Sequence, residues 1–244
     1  MENKWNGFAC EQFQFEEHDA LIVYPEKSNG YLAVKTEYWG AFPEAIEIPL
    51  LKNGFHLCFI KNDNRWGTDS DIERKARFMR HVQARCELKE RCVLVGMSCG
   101  GLFAIKLTAK YPELVQCLYL DAPVLNYMSF PCGFGVAEPK ESVLPEAMNA
   151  LKLSNISELL CYTDMPMNKL DALVKSRIPA VVVTGDSDRL VPYCENGIML
   201  ERAYTDAGID LEVYIKPDAD HHPHGLEDNT PLIAAVERSY EGKW

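Results

Sequence analysis

The sequence lacks both a long apolar run and an excess of positive charge. None of its apolar stretches reaches the roughly 18 residues that a membrane-spanning helix requires, and its first residues lack the apolar core of a signal peptide. Lys and Arg total 25 against 36 Asp and Glu, so the formal net charge is −11, which disfavours the basic surface that nucleic-acid binding needs. We therefore expect a cytoplasmic protein with neither a membrane nor a nucleic acid as its partner.

Paired cysteines are also missing. The nine cysteines form an odd, scattered set without a C-x-x-C pair, which argues against a disulfide framework and against a structural zinc site. We expect most of them to be buried, reduced thiols, and we expect no cofactor. The hydrophobic fraction of 47% and the charged fraction of 25% are ordinary for a globular protein, and 244 residues suffice for one α/β domain.

Short apolar runs rich in β-branched residues alternate with longer helical patterns along the chain. This alternation predicts an α/β fold with a mostly parallel sheet that helices cover on both faces. We expect about seven strands, and the candidates lie at 20–24, 31–35, 56–60, 92–95, 116–120, 180–184 and 211–215.

Residues 126–177 interrupt this alternation with loop chemistry and short helical patterns. The strand pattern then resumes as though it completed the same sheet. We therefore interpret 126–177 as a cap or lid inserted into a single domain that spans 1–244.

Capping patterns predict the starts of two helices. Ser70 and Glu73 fit a capping box that opens a helix reaching about Cys86. Near the end of the chain, Thr230 followed by Pro231 predicts an N-cap and a preset first turn for an amphipathic helix.

The sequence G-M-S-C-G-G at 96–101 lies between a buried-strand pattern and a helical pattern that ends at Tyr111. A serine held in a strained backbone conformation at a sharp strand-to-helix turn needs flanking glycines, since side chains there would clash. Ser98 is therefore the predicted nucleophile. The amides of Ser98 and Cys99 would lie at the helix N-terminus, where unpaired N–H groups favour an oxyanion.

A serine alcohol needs an adjacent base, which a third group must orient. The loop after the sixth candidate strand carries Asp186 and Asp188. We favour Asp188, because Asp186 lies in the tight turn at the strand end, where a local backbone bond is expected. His221 comes first after the last strand and is the preferred base, while we expect His222 and His224 to line the pocket or bond locally. A metal site is disfavoured, because H-H-P-H offers poor convergence of the three imidazoles.

Through G-M-S-C-G-G, G-D-S-D-R-L-V-P and D-H-H-P-H, the chain resembles the α/β-hydrolase superfamily from about residue 20 onward. Within it, K-T-E-Y-W-G-A-F-P at 35–43, L-D-A-P at 120–123 and H-H-P-H at 221–224 resemble bacterial esterases and prolyl-oligopeptidase-like hydrolases, many tied to the breakdown of plant polysaccharides. The resemblance implies an α/β-hydrolase fold with a small cap after the sixth strand.

The resemblance also implies a second oxyanion amide from the loop that begins at Thr36. The usual His-Gly pair is absent there, which leaves the donor open between Glu37 and Tyr38, and we name Glu37. The sheet of the family often begins with an antiparallel hairpin, which residues 1–19 barely have the length to supply.

These features predict a serine hydrolase that cleaves a carboxylic ester, for which an acyl or methyl ester on a carbohydrate is one candidate. The alternatives are a peptidase of the prolyl-oligopeptidase-like type, a different chemistry on the same scaffold such as a carbon–carbon hydrolase or a lyase, and a non-catalytic ligand-binding homologue. Tyr38, Trp39 and His222 are the candidate substrate-binding residues. Further loop aromatics could line a pocket, although such residues pack in cores about as often; they are Phe42, Trp66, Tyr127, Phe130 and Phe134. The oligomeric state stays open.

Overall fold

The computed structural model of the protein describes residues 3–242. Within this range the chain forms one sheet and eight α-helices. The strands are β1 (Lys4–Trp5), β2 (Phe8–Phe15), β3 (His18–Val23), β4 (Leu32–Lys35), β5 (His56–Ile60), β6 (Cys92–Met97), β7 (Val115–Asp121), β8 (Ala180–Gly185) and β9 (Leu211–Lys216). The helices are α1 (Glu47–Lys52), α2 (Asp69–Arg85), α3 (Cys99–Lys110), α4 (Leu144–Ala150), α5 (Ile156–Leu160), α6 (Leu170–Ser176), α7 (Gly197–Ala207) and α8 (Thr230–Glu241).

The strand order is β1-β2-β3-β5-β4-β6-β7-β8-β9. The pairs from β5 through β4, β6, β7 and β8 to β9 are parallel, whereas β1, β2 and β3 pair antiparallel at one edge. The predicted mostly parallel sheet is confirmed. Its parallel strands end at the same edge, so the loops that follow β4, β6, β7, β8 and β9 meet there.

The sheet of the described residues has nine strands, and the expectation of about seven is wrong because the chain before β3 does form two antiparallel strands, β1 and β2. β2 is only half-buried and carries glutamine and glutamate, so it lacks the β-branched signal of the central strands. Its turn to β3 is made by Glu16 and Glu17, which have φ values of +47° and +65°. Two-residue hairpin turns with positive φ usually contain Asn and Gly, so Glu-Glu gave no turn signal.

The central strands divide their side chains between two cores, one on each face. In β6, Leu94 packs in the core under α2, α3 and α7, whereas Val93 and Val95 pack in the core under α1 and α8. Burial on both faces explains why these strands read as continuous apolar runs.

Both predicted caps differ from the observed ones by one or two residues. α2 begins at Asp69 with Thr68 as its N-cap, so the capping box of Ser70 and Glu73 does not form. The Thr68 hydroxyl donates to Asp71 Oδ2 at 2.9 Å, which ties the helix start by a side-chain pair. In α8 the N-cap is Asn229, one residue before Thr230.

Residues 126–177, the cap segment, contain α4, α5 and α6 and no strand, and the whole segment is described. It follows the seventh strand along the chain and not the sixth, because β1 and β2 precede the five predicted strands that end at 116–120. Arg65, in the loop after β5, makes a two-pronged ion pair with Glu146 of α4. This pair fastens the cap segment to the sheet edge at which β5 ends.

No helix of the described residues combines the length and the apolar character needed to cross a bilayer.

Candidate active site

Ser98 lies at the turn between β6 and α3, with φ of +52° and ψ of −120°. This conformation is costly for a residue with a side chain, by about 1–3 kcal/mol, and such strain is concentrated at functional sites. The Ser98 amide donates to the carbonyl of Asp121 at 2.9 Å, so it is not available to an oxyanion. The amide of Cys99 is the first of α3 and has no acceptor within the helix.

The glycines around Ser98 are required by close approach of backbone segments. A Cβ on Gly96 would lie 2.8 Å from the carbonyl oxygen of Gly100, and a Cβ on Gly101 would lie 2.4 Å from Cβ of Pro123. Real Cβ atoms do not come this close to other atoms. The glycines therefore let α3 start directly against β6 and the chain after β7.

Asp188, in the loop after β8, is buried with 4% of its surface exposed. Its Oδ1 accepts from the amides of Leu190 at 2.9 Å and Val191 at 2.7 Å. Its Oδ2 lies 2.7 Å from Nδ1 of His221. Asp186 is exposed and accepts from the hydroxyl of Ser187 at 3.0 Å. Of the two candidate acids, only Asp188 therefore faces the base.

His221, in the loop after β9, is buried and bridges the other two side chains. Its Nδ1 faces Asp188, and its Nε2 lies 3.1 Å from Oγ of Ser98. Its amide donates to Oδ1 of Asp220 at 2.8 Å, and the same oxygen accepts from the amide of Arg189 at 3.2 Å. Asp220 thus ties the loop that carries the acid to the loop that carries the base.

A second buried carboxylate–histidine pair lies beside the first. Asp121, at the end of β7, has 1% of its surface exposed and sends Oδ1 to Nδ1 of His224 at 2.8 Å. Its Oδ2 accepts from the amide of Gly225 at 2.6 Å and from the hydroxyl of Tyr119 at 2.9 Å. Burial acts to raise the pKa of Asp121, but the hydrogen bonds from His224 and Gly225 outweigh it and lower that pKa.

Asp121 was quoted only as part of the L-D-A-P motif and His224 was expected to line the pocket or bond locally, so their pairing was not predicted. The position of Asp121 at the end of a parallel strand could have marked it as a site residue, because the loops with the other site residues meet at that edge of the sheet.

Glu37 and Tyr38 follow β4 and lie next to the nucleophile turn. The Glu37 amide would be 3.5 Å from a Cβ on Gly100, which places this loop over the first turn of α3. The Glu37 carboxylate accepts from Asn62, whose side chain also donates to the carbonyl of Thr36 at 2.9 Å. Burial, and then the neighbouring Cys99 thiol, raise the pKa of Tyr38, whose hydroxyl also interacts with Arg65.

A buried ion pair supports the same loop from below. Lys35, the last residue of β4, pairs with Glu47 of α1, and both side chains are almost fully buried. Its Nζ also lies 3.0 Å from Sδ of Met97 and 3.4 Å from the carbonyl oxygen of Ala41. The pair therefore connects the loop after β4 to the residue that precedes Ser98.

Trp39 does not join the other site residues. Its ring packs between Trp5, at a centroid distance of 4.7 Å, and Phe59, at 5.6 Å. It lines a groove of about 620 Å³ on the antiparallel part of the sheet, together with Leu21 and Lys61. No residue of the groove belongs to the Ser98 site, so this placement does not support the predicted contact of Trp39 with substrate.

The loop aromatics mostly pack in the core. Trp66 and Tyr127 are fully buried, Phe130 has 5% of its surface exposed, and Trp66 contacts both other rings. Phe134 is half-exposed in the cap segment. Phe42 packs against the two histidines beside the base: its ring stacks on that of His222 at a centroid distance of 5.4 Å and contacts that of His224 at 5.1 Å.

His222 lies at the exposed rim of the site, with its ring 4.8 Å from that of His221. Burial, followed by the neighbouring His221 and His224, lowers the pKa of His222. The convergence of the three histidines is closer than H-H-P-H suggested, because one ring nitrogen of each lies within 4.8 Å of the others.

Solved structures with this arrangement of strands and helices were found by comparison. A truncated form of a carbohydrate esterase from gut microbiota matches with a TM-score of 0.71 and 17% identity, covering 100% of this chain and 99% of that one. The acylaminoacyl peptidase of Pyrococcus horikoshii matches with a TM-score of 0.68 and 12% identity, covering 88% of this chain and 37% of that one. The dipeptidyl peptidase 4 of Porphyromonas gingivalis matches with a TM-score of 0.69 and 14% identity, covering 96% of this chain and 35% of that one.

The chain spans little more than a third of the length of these two peptidases. At such low identities the solved structures show the fold, and the predicted α/β-hydrolase fold is confirmed. No curated protein matches the chain by sequence.

A sequence model of the prolyl oligopeptidase family matches residues 76–240. This range is more than half of the chain and includes the turn at Ser98 and the loops of Asp188 and His221. The chain therefore belongs to the prolyl oligopeptidase family of serine hydrolases.

Proposed function

We propose that the protein is a serine-dependent carboxylic ester hydrolase that works through an acyl-enzyme. The observation that carries the proposal is the unbroken hydrogen-bond chain from Asp188 through His221 to Ser98, at 2.7 and 3.1 Å. Nucleophile, base and orienting acid in this geometry are the parts that acyl transfer needs. An intact set of this kind argues against the non-catalytic alternative.

In the proposed reaction, His221 Nε2 takes the proton of Ser98 as Oγ attacks the acyl carbon, and it returns the proton to the leaving alcohol. Water, activated by the same nitrogen, then releases the acid and restores Ser98. Asp188 holds the imidazole with a proton on Nδ1, so that Nε2 is free to act as the base. Two amides fasten Oδ1 of Asp188, and this keeps the orienting oxygen in place.

The oxyanion is assigned to the amides of Cys99 and Glu37. The Cys99 amide opens α3 without a helical acceptor, and the Glu37 loop lies over the same helix turn. Each donor aimed at the developing charge contributes roughly 3 kcal/mol to lowering the barrier. Tyr38 and His222 stay candidate substrate-binding residues, because both lie beside this turn and the base.

We favour an ester over a peptide as the substrate because of how much of each solved chain the match covers. The solved truncated form of a carbohydrate esterase is matched over 99% of its chain, whereas the two peptidases are matched over little more than a third of theirs. An acylated or methyl-esterified carbohydrate is therefore the proposed substrate class. The family name and the peptidase structures make a peptidase the second candidate.

Residues 126–177 are proposed to act as a cap within a single domain. The Arg65–Glu146 pair and the hydrogen bond from Trp66 Nε1 to Glu146 at 3.1 Å hold this segment beside the catalytic edge. A cytoplasmic location stays a prediction.

The first experiment compares the wild type with Ser98→Ala in hydrolysis of p-nitrophenyl acetate. We expect the variant to lose most of a roughly million-fold rate enhancement, and we expect a fluorophosphonate probe to label only the wild type. Normal turnover by Ser98→Ala would exclude the mechanism.

The second experiment ranks substrates with the purified wild type. Acetylated, feruloylated and methyl-esterified glycans are assayed beside aminoacyl anilides at matched concentrations. A higher kcat/KM for a glycan ester supports the ester assignment, and a higher value for an anilide transfers the proposal to the peptidase.

A further inference from the structure

Three imidazoles meet at the rim of the active site. The ring centroids of His221 and His222 are 4.8 Å apart, those of His222 and His224 are 4.9 Å apart, and those of His221 and His224 are 5.3 Å apart. One nitrogen from each ring lies within 4.8 Å of the others. We refer to these three residues as the histidine cluster.

Two rings of the histidine cluster have their Nδ1 atoms held by buried carboxylates. Asp188 is 2.7 Å from Nδ1 of His221, and Asp121 is 2.8 Å from Nδ1 of His224. A carboxylate on one ring nitrogen fixes the tautomer and makes the other nitrogen a better metal ligand, and most metal-binding histidines in proteins carry such a partner. The outer shell of a metal site is thus already built around Nε2 of both rings.

The third ring differs from the other two in its exposure and its contacts. His222 is exposed and is held by stacking on Phe42 at 5.4 Å. Nitrogens that share a tetrahedral zinc ion at roughly 2.0–2.1 Å lie about 3.4 Å apart. An ion bound between the rings has to draw the three nitrogens together from the 4.8 Å within which they now lie, and the exposed ring of His222 has the most room to turn.

We propose that the histidine cluster binds a divalent transition-metal ion, with Zn²⁺ as the best fit, and that the bound ion reversibly inhibits the enzyme. Neutral imidazoles suit Zn²⁺, and a site of three histidines leaves a fourth position for water. Nε2 of His221 now faces Ser98 Oγ at 3.1 Å. An ion on this nitrogen takes the lone pair that would accept the serine proton, so Ser98 loses its base.

The inhibitory part of this proposal rests on the proposed hydrolase function, whereas the binding part does not. Binding is therefore measured by calorimetric titration of Zn²⁺ into metal-free protein that carries no histidine tag. The same protein is titrated with Co²⁺, because four-coordinate Co²⁺ absorbs strongly in the visible range and reports its ligand geometry. Ser98→Ala is titrated as well, since it binds without turnover.

We expect one Zn²⁺ per chain in the wild type and in Ser98→Ala. His222→Ala should bind at least roughly tenfold more weakly, which is the smallest loss typical when even an outer-shell partner is removed. His222 is exposed, so its replacement leaves the core unchanged. His81→Ala, an exposed histidine of α2 outside the histidine cluster, is the matched control and should bind as the wild type does.

Inhibition is measured as the Zn²⁺ concentration that halves p-nitrophenyl acetate hydrolysis in each variant. We expect it to rise in His222→Ala by the same factor as the dissociation constant and to stay unchanged in His81→Ala. A chelator should restore full activity. Absence of stoichiometric binding, or equal binding by His222→Ala and the wild type, would overturn the metal site.

The two proposals fail separately. Zn²⁺ binding that depends on His222 in a protein with no hydrolytic activity would keep the metal site and remove the ester-hydrolase function. Ester hydrolysis that Zn²⁺ leaves unaffected would keep that function and overturn the inhibitory part of the metal proposal.

Discussion

Two carboxylates lie close together after β8, and their hydrogen bonds separate their roles. The amides of Leu190 and Val191 hold one oxygen of Asp188, which leaves the other oxygen aimed at His221. Asp186 has an exposed side chain bonded to Ser187. Two backbone N–H groups therefore decide which of the two carboxylates orients the base, although both carboxylates lie in the same loop.

Asp188→Asn should lower kcat for p-nitrophenyl acetate by roughly 10⁴-fold, because an amide that presents its NH₂ to Nδ1 favours the wrong imidazole tautomer. The measurement is steady-state kinetics at neutral pH, with the rate of fluorophosphonate labelling as a second readout. Asp186→Asn is the matched control and should keep the wild-type rate within about threefold, since surface substitutions rarely perturb a site. Equal losses in both variants would reassign the acid.

At the scale of secondary-structure elements, the position of Ser98 depends on how closely α3 approaches the chain after β7. Gly101, in the first turn of α3, leaves no room for a Cβ, which would lie 2.4 Å from Cβ and 2.8 Å from Cα of Pro123. Pro123 is part of the backbone that follows Asp121. A side chain at position 101 therefore has to push α3 away from the end of β7, where Asp121 pairs with His224.

Gly101→Ala should reduce both stability and turnover, because overpacking costs about 1–3 kcal/mol and displaces the helix that carries the Cys99 amide. Urea unfolding and p-nitrophenyl acetate kinetics measure the two effects. Gly208→Ala is the control: Gly208 has φ of +58° with nothing within 4 Å of an added Cβ, so it should lose about 1 kcal/mol of stability and keep its kcat. An unchanged kcat in Gly101→Ala would show that the helix start tolerates the shift.

Elements with a periodic apolar pattern could be predicted from the sequence, and elements without one could not. Central strands such as β6 and β8 are continuous apolar runs rich in valine, and both of their faces are buried. β2 alternates partly buried and exposed positions at the sheet edge, and its Glu16-Glu17 turn lacks the usual residues. The predicted start of α2 was wrong because the Thr68 side chain bonds to Asp71, and this pairing competes with the capping box of Ser70 and Glu73.

In the candidate site, too, residues with a local sequence pattern could be predicted and contacts without one could not. Ser98, Asp188 and His221 could be named because the strand-to-helix turn and the order of the loops predict them. The substrate contact of Trp39 stays a prediction, and the packing of its ring on Trp5 and Phe59 depends on the hairpin that the sequence did not reveal. The pairing of Asp121 with His224 joins positions 103 residues apart, and no local pattern reports such a contact.

At the scale of the whole molecule, the core contains a cation whose burial opposes folding. Lys75 of α2 is fully buried, with Nζ 3.2 Å from the carbonyl oxygen of Ile60 and 5.6 Å from the ring centroids of Phe59 and Phe103. Burial lowers the pKa of Lys75 to about 8, although the charge of Glu37 partly offsets this. Moving an ammonium group into the protein interior is unfavourable, so the protonated side chain destabilises the native state.

The pKa of Lys75 ties stability to pH with a defined sign. Below about pH 8 both the native and the unfolded states hold the proton, so the penalty is constant. Between pH 8 and the ordinary lysine pKa of about 10.4, only the unfolded state still binds it, and stability therefore rises with pH. This pH dependence of stability is absent from a chain that has a neutral side chain of similar length at position 75.

Lys75→Met should therefore be more stable than the wild type at pH 7, and this advantage should shrink by about 2 kcal/mol on going to pH 10. Urea unfolding at both pH values gives the difference, in which other titrating groups cancel because both chains contain them. Lys89→Met, at an exposed position, should show no such change with pH. An advantage of Lys75→Met that is equal at pH 7 and pH 10 would mean that the Ile60 carbonyl and the two rings solvate the ammonium as well as water does.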